Sequence, residues 1–316
     1  MKSWIALALA LLALPGLAPA QTQRVLLDTD RGPVVVELDT VRAPRTSANF
    51  LAYVDAGRYD DTILHRVLKD FVIQGGGSRE NTAPIARFPD IASERGNGLF
   101  NTTGTLAMAL SNTPAGIPDT TSADSEFFIN MGNNASLDPN YTVFGKVTYG
   151  FATLASINTI TVNPFQNHLP LRPPVLKRAV RTDGFPILDL HTGAWYDPTK
   201  TGRGFSVEVG STEAGAPRIL VYWYDYFEGR QVWMGGVVPF QWGASSVTIP
   251  MLITQGGQFG PAFNPASVVT DTAWGQLTVR FTGCDRATFT YTSKFGNGTV
   301  DLRRLTMPTG TRCTGN

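Results

Sequence analysis

The chain is poor in the residue types on which most recognisable chemistry is built. Its 316 residues include two cysteines and three histidines, and only 16% are charged. His65, His168 and His191 have no second histidine or cysteine at metal-ligand spacing, which argues against a zinc site. There is no G-x-S-x-G elbow and no phosphate loop, so those routes to acyl transfer and nucleotide binding are closed. His191 stands near Asp189, but no marked serine or cysteine completes a triad, which leaves a surface or packing role. Asp28, Asp30 and Gly32 open like a calcium loop, yet the later ligands and closing glutamate are missing, so the segment reads as a turn.

Surplus charge is missing too. Lysine plus arginine is 26 and aspartate plus glutamate is 25. Residues 24–183 hold 15 basic and 16 acidic side chains, and residues 184–316 hold 10 and 9. A nucleic-acid binder would carry a basic excess, so no such partner is expected. No apolar stretch after residue 20 is long enough to span a bilayer. Tryptophan is absent between Trp4 and Trp195, and Trp195, Trp223, Trp233, Trp242 and Trp274 all follow residue 190. Both cysteines, Cys284 and Cys313, lie in the last third. Two modules joined end to end give such a distribution, and the length suits about two domains.

Residues 1–20 read as a secretory signal: Lys2, an apolar run from Trp4 to Leu14, then Ala18-Pro19-Ala20 as the cleavage pattern. The run is short of the roughly 20 residues that a spanning helix needs. Export is therefore expected, to the periplasm or beyond, where disulfides are permitted.

Along the mature chain, residues 24–38 carry a hairpin pattern with Asp30-Arg31-Gly32 between two apolar runs. Pro44 to Gly57 has helical spacing and a glycine stop, and Gly150 to Ile160 reads as a second short helix. Short strand-like runs fill the rest up to residue 182. The glycine triplet Gly75 to Gly77 precedes no convincing helix and reads as a tight loop. This pattern predicts a closed or nearly closed antiparallel sheet with two helices. From Phe185 on, seven strand-like runs follow with no helical period: 205–209, 218–227, 231–238, 246–252, 276–281, 288–292 and 299–305. Asn297-Gly298 marks a hairpin turn. An all-β sandwich or barrel is expected there.

The segment TILHRVLKDFVIQGGG at residues 62–77 resembles the signature of cyclophilin-type peptidyl-prolyl isomerases. RGPVVVEL, APRTSANFLAYVDAGRYDDT, GTLAMAL, SEFFIN and LDPNYTVFGKV resemble further family segments in family order, over residues 24–182. The segment NPFQNHLPLRPPVLKRAV is similar to the periplasmic bacterial branch. The resemblance implies an eight-stranded antiparallel barrel with two helices over residues 24–183, and the strand pattern beyond it gives a second all-β domain over 185–316. It implies peptidyl-prolyl isomerase activity on proline-containing segments of exported proteins, without metal or cofactor. Arg66 matches the catalytic arginine and Gln74 the glutamine that orients it. Phe71, Val72, Phe128 and Leu137 match the proline pocket, and Ala109 and Leu110 match a segment that touches the peptide mostly through its backbone. His65 reads as a hydrogen-bonding residue, because this reaction transfers no proton.

Several positions depart from the family. Ser136 stands where tryptophan or phenylalanine is common, Tyr141 where histidine is, and Glu126 where glutamine is. Leu64 and Val72 replace a phenylalanine and a methionine. These groove changes motivate an alternative: a weakly active chaperone or binding module for proline-containing segments. Residues 185–316 contain TGAWYDPTKTGRGFSVEV, which resembles a motif of small C-terminal β-domains of exported proteins, and imply no ligand. A third reading makes that domain the functional centre, attached to envelope glycans or a partner. Most of its aromatics are expected in the core. Cys284 and Cys313, the only cysteines of an exported chain, are expected to form a disulfide.

Overall fold

A computed structural model describes residues 23–81 and 83–309. The signal-like residues 1–20 and Cys313 lie outside them.

The hairpin at the amino end is β1 (Gln23–Thr29) and β2 (Gly32–Leu38), turning at Asp30-Arg31, with Gly32 at φ 125°. The two acids there have partners from within the chain. Asp28 pairs with Lys177 at 3.0 Å and Arg178 at 3.2 Å, and Asp30 Oδ1 accepts from the Val175 amide at 3.0 Å. Helix α1 (Pro44–Asp55) starts on its proline and stops at Ala56. Beyond the stop, the amides of Gly57 and Arg58 donate back to the carbonyls of Val54 and Tyr53, and Gly57 takes φ +60°. That bonding closes the open carbonyls of the last turn, so the glycine ends the helix.

Then follow β3 (Thr62–Ile63), β4 (Arg66–Leu68), β5 (Val72–Gly75), β6 (Thr105–Met108), β7 (Phe127–Asn130), β8 (Val143–Tyr149), α2 (Phe151–Asn158), β9 (Val162–Asn163), β10 (Leu169–Pro170) and β11 (Val175–Thr182). Nine of these strands form one sheet in the order β3-β11-β1-β2-β8-β6-β7-β5-β4. The edge strands β3 and β4 are separated by Leu64 and His65 alone, so the sheet curls until its edges meet. The count is nine because the TILHRVL run breaks there into two short strands on opposite edges. Strands β9 and β10 form a separate ribbon.

The second sheet is a closed barrel of eight strands: β12 (Gly193–Tyr196), β13 (Gly204–Ser211), β14 (Pro217–Phe227), β15 (Arg230–Pro239), β16 (Ser246–Gln255), β17 (Val269–Phe281), β18 (Arg286–Ser293) and β19 (Gly296–Arg304). The sandwich-or-barrel alternative resolves to a barrel because β12 pairs with β19, Trp195 opposite Arg304. β12 is the strand that the sequence pattern misses; it lies inside the TGAWYDPTKTGRGFSVEV motif. Asn297-Gly298 is not the hairpin turn. The turn is Lys294-Phe295, and Gly298 lies within β19 opposite Tyr291. A Cβ there would stand 2.8 Å from the Tyr291 hydroxyl, so the glycine makes room for a cross-strand ring. Trp195, Trp223 and Trp274 are buried in the barrel core, whereas Trp233 is 42% exposed.

The two sheets meet on the outer face of the first. Leu26 of β1 and Val35 of β2 are buried against Leu188 and Leu190. Their strand neighbours Val25, Leu27, Val34 and Val36 point the other way, into the interior core with Phe50 and Phe144. Both faces of this hairpin are thus covered, which is why its sequence runs apolar instead of alternating. Phe185 sets its ring edge-on to Tyr149 at 5.4 Å, and the Arg178 guanidinium lies 4.5 Å from the Trp242 ring centre. His191 is fully buried and stacks on Phe281 at 3.8 Å, which is a packing role.

Candidate active site

A strand sends alternate side chains to opposite faces. In β6 and just beyond, Leu106, Met108 and Leu110 pack with the interior core, while Ala107 and Ala109 face outward. In β7, Phe127 and Ile129 go in and Phe128 goes out. In β5, Ile73 goes in and Val72 goes out. The outward set forms a second apolar cluster of Val72, Ala107, Ala109, Phe128 and Val143, with Phe71, Leu99, Leu137 and Tyr141 partly buried against it.

The pairing registers align this cluster with the candidate cation. Arg66 lies opposite Gln74, Gln74 opposite Phe128, Phe128 opposite Ala107, and Ala107 opposite Val143. One row across five strands therefore runs from a guanidinium to an apolar floor, with directly opposite side chains about 5 Å apart. At the cationic end, Arg66 Nη1 donates to Gln74 Oε1 at 3.3 Å, and Arg66 Nε donates to Asn167 Oδ1 at 3.2 Å. Gln74 Nε2 donates to Glu126 Oε2 at 2.8 Å. His65 Nε2 lies 3.4 Å from that same oxygen, and Arg87 Nη2 lies 3.8 Å from Glu126 Oε1.

Among the described residues Arg66 has no carboxylate within ion-pair distance. Its neighbours offer amide oxygens only. Burial lowers its pKa, against a rise from Tyr141, and a guanidinium stays protonated regardless. Tyr141 sits edge-on to Phe128 at 5.6 Å, and burial pushes its phenol up, against Arg66, so it remains neutral. Burial would raise the Glu126 carboxyl, but His65, Gln74 and Arg87 together hold it below the usual carboxylate range.

The structure brings Arg66, Gln74, Phe71, Val72, Ala109, Phe128, Leu137, Tyr141 and Glu126 around this row. It does not bring in Leu110, whose side chain packs with the interior core. Ser136 is exposed on the short 3-10 turn Ala135–Leu137 and stands outside the apolar cluster. His65 turns Nε2 toward Glu126, and its Nδ1 is buried without a hydrogen-bond partner among the described residues. The glycine triplet is also explained. A Cβ on Gly76 (φ +88°) would meet the Ser125 carbonyl at 2.6 Å, and one on Gly77 would meet Glu126 Oε1 at 2.5 Å. The loop is tight because β7 and its glutamate lie directly on it.

Sequence reasoning misses three parts. Asn167 lies 101 residues from Arg66, in a segment whose local signal is only a turn. Arg87, which braces Asp124 at 2.8 Å as well as Glu126, lies in a polar loop. An amide ladder fixes the pocket wall: Asn134 Nδ2 donates to the Phe71 carbonyl at 2.9 Å and to Asn130 Oδ1 at 2.7 Å, and Asn130 Nδ2 donates to Asn101 Oδ1 at 3.1 Å. The asparagine-rich run at 130–140 is its trace in the sequence.

Comparison with known proteins places this arrangement. Residues 24–180 match the family model "Cyclophilin type peptidyl-prolyl cis-trans isomerase/CLD". The peptidyl-prolyl cis-trans isomerase cyp18 of Streptomyces antibioticus is 41% identical over 165 residues, covering 49% of this chain and 96% of that protein. Peptidyl-prolyl cis-trans isomerase A of Dickeya dadantii is 38% identical over 173 residues, covering 52% of this chain and 87% of the relative. Peptidyl-prolyl cis-trans isomerase B of Escherichia coli is 37% identical over 144 residues, covering 43% and 84%. The eight-stranded barrel lies beyond the matched residues. On the family match and the near-complete coverage of these relatives, the chain belongs to the cyclophilin-type peptidyl-prolyl cis-trans isomerases.

Proposed function

We propose that the row from Arg66 to Val143 binds an X–Pro segment and accelerates its cis-trans exchange, and that the clients are exported proteins. The observation that carries this reading is a partly buried cation without a carboxylate partner among the described residues, at the end of an outward-facing apolar cluster. Rotation about the X–Pro bond must lose amide resonance, at a barrier of about 18–20 kcal/mol. A catalyst need only hold the twisted amide better than either planar form. The pyrrolidine ring would sit on Phe128 and Val72, with Phe71 and Leu137 at its sides. As the bond twists, the proline nitrogen gains acceptor strength, and the fixed guanidinium donates to it. No proton is transferred and nothing is cut. Exchange spectroscopy on a short Ala-Pro peptide tests the reading: wild-type protein at micromolar concentration accelerates exchange, and absence of acceleration overturns it.

A second reading keeps the groove and drops the turnover. Ser136 leaves the pocket without an aromatic wall on its side, and Glu126 adds a negative charge. A holdase of this kind suppresses client aggregation equally well with and without Arg66. Export rests on the pattern in residues 1–20, and amino-terminal sequencing of the purified envelope form checks cleavage after Ala20. A Cys284–Cys313 bridge, closing a loop of roughly 30 residues, contributes about 3–4 kcal/mol in the chain-entropy estimate; peptide mapping without reduction detects it. We assign residues 24–183 and 185–316 to separate domains, the second without a known ligand.

A further inference from the structure

Resting on the Arg66 reading above, we propose that Asn167 is a second positioning residue for the catalytic guanidinium, supplied by the β9–β10 ribbon. The guanidinium is held along two edges. Gln74 takes Nη1 from within the sheet, and Asn167 takes Nε from outside it, at 3.2 Å. No protein acceptor engages Nη2 among the described residues, so that nitrogen is left for substrate. With only Gln74 as partner, the group could swing about the Nη1 contact. The second contact removes that freedom, and a planar fork held at two points presents its remaining donors in one direction.

The backbone around Asn167 is built for this task. Asn167 has φ 52° and His168 has φ 57°, two consecutive non-glycine residues in the left-handed region. Such residues cost free energy and persist only where the surroundings over-determine them. The surroundings do so here. Asn163 Oδ1 accepts from the Phe165 amide at 3.0 Å, Leu169 pairs with Asn163, and the Val67 amide donates to the His168 carbonyl at 3.2 Å. The last bond ties the ribbon to the residue next to Arg66. The left-handed pair is thereby pinned against β4 with the Asn167 carboxamide on the guanidinium. Asparagine tolerates this conformation better than other side chains with a comparable acceptor.

The test separates side chain from backbone. Asn167→Gly keeps the left-handed turn and deletes the acceptor. It is expected to lower kcat about fivefold on a proline peptide, with KM and the thermal midpoint unchanged. Asn167→Asp keeps an acceptor on Nε but pairs the guanidinium with a carboxylate, so it is expected to keep the Nε–H protection without restoring kcat. In nitrogen-15 spectra the Arg66 Nε–H resonance, assigned as the one missing in Arg66→Ala, is expected to lose its exchange protection in Asn167→Gly. In the Arg66→Ala background the glycine substitution is expected to add nothing. Wild-type kcat and an unchanged Nε–H signal in Asn167→Gly overturn the proposal while leaving the Arg66 reading intact. Full activity in Arg66→Ala itself removes that reading first.

Discussion

Two arginines, one in each half of the chain, show how similar residues take different roles. Arg203 of the barrel reaches Asp225 at 3.1 Å and Asp197 at 3.7 Å, and Asp225 also accepts from Trp223 Nε1 at 3.1 Å. Its charge is spent inside the fold, where it locks the TGAWYDPTKTGRGF motif to β14. Arg66 is also partly buried, but among the described residues it meets amide oxygens alone. Its charge is oriented without being neutralised. A similar contrast holds for the aromatics. In the barrel, Trp195, Trp223, Trp274, Phe205 and Phe289 belong to one inner core. In the isomerase half, Phe127 goes inward while its neighbour Phe128 goes outward to floor a surface cluster. What separates a site from a scaffold here is an unspent cation beside a second apolar cluster on the outer face of the sheet.

The contrast can be broken most sharply by removing each arginine in turn. Arg66→Ala is expected to lower kcat/KM by about 100-fold or more, with an unchanged urea midpoint. Arg203→Ala is expected to leave kcat/KM as it is and to lower the urea midpoint of the barrel, since Asp197 and Asp225 lose the cation they share. Tryptophan fluorescence reads the second effect cleanly, because every tryptophan after Trp4 lies in the barrel half. Equal outcomes for the two variants end the distinction. Next in size is Phe128→Leu, which keeps the burial but removes the ring that Tyr141 meets edge-on; a drop of about tenfold in kcat/KM, mainly through KM, is expected in peptide assays.

The halves also differ in acid. Burial, helped by the Arg304 charge, holds His191 well below its ordinary value of 6.5. The unfolded chain then takes up a proton near pH 6.5 that the folded barrel refuses. This stability is complete above about pH 6.5 and falls on acidification, by up to about 1.4 kcal/mol per pH unit. Glu126 is depressed as well, so its contribution is present above about 4.5 and goes only as pH falls through its lower folded value. Urea titrations from pH 7 to 5 should show the tryptophan-reported transition weakening, and His191→Gln should flatten that slope. A wild-type profile that is flat over this range contradicts the assignment. The smallest effect concerns selectivity: Glu126→Gln is expected to reduce a preference for lysine beside the proline by about twofold to threefold. In the same groove Ser136 predicts weak cyclosporin binding, and submicromolar inhibition contradicts it.

Much of the site was legible because its parts lie on neighbouring strands within short motifs. Arg66 and Gln74 are eight residues apart and face each other across one hairpin. Leu110 was expected to meet the peptide through its backbone, and the two-residue alternation sends its side chain to the interior core. Asn167 and Arg87 were not legible, since only the tertiary fold brings a distant turn and a polar loop onto Arg66 and Glu126. In the barrel, seven strands announced themselves by apolar alternation. β12 did not, being four residues long and inside a motif rich in turn formers.

The doubly covered hairpin at the amino end has a consequence in time. Synthesis completes residues 24–182 before Leu188 and Leu190 leave the ribosome. Until they arrive, Leu26 and Val35 have lost water on neither account and form an open apolar stripe on an otherwise finished sheet. The hairpin that opens the sheet is therefore covered on its outer face only after the rest of that sheet has been made. In this protein the nascent isomerase is itself, for a short interval, the kind of incompletely folded chain that aggregates.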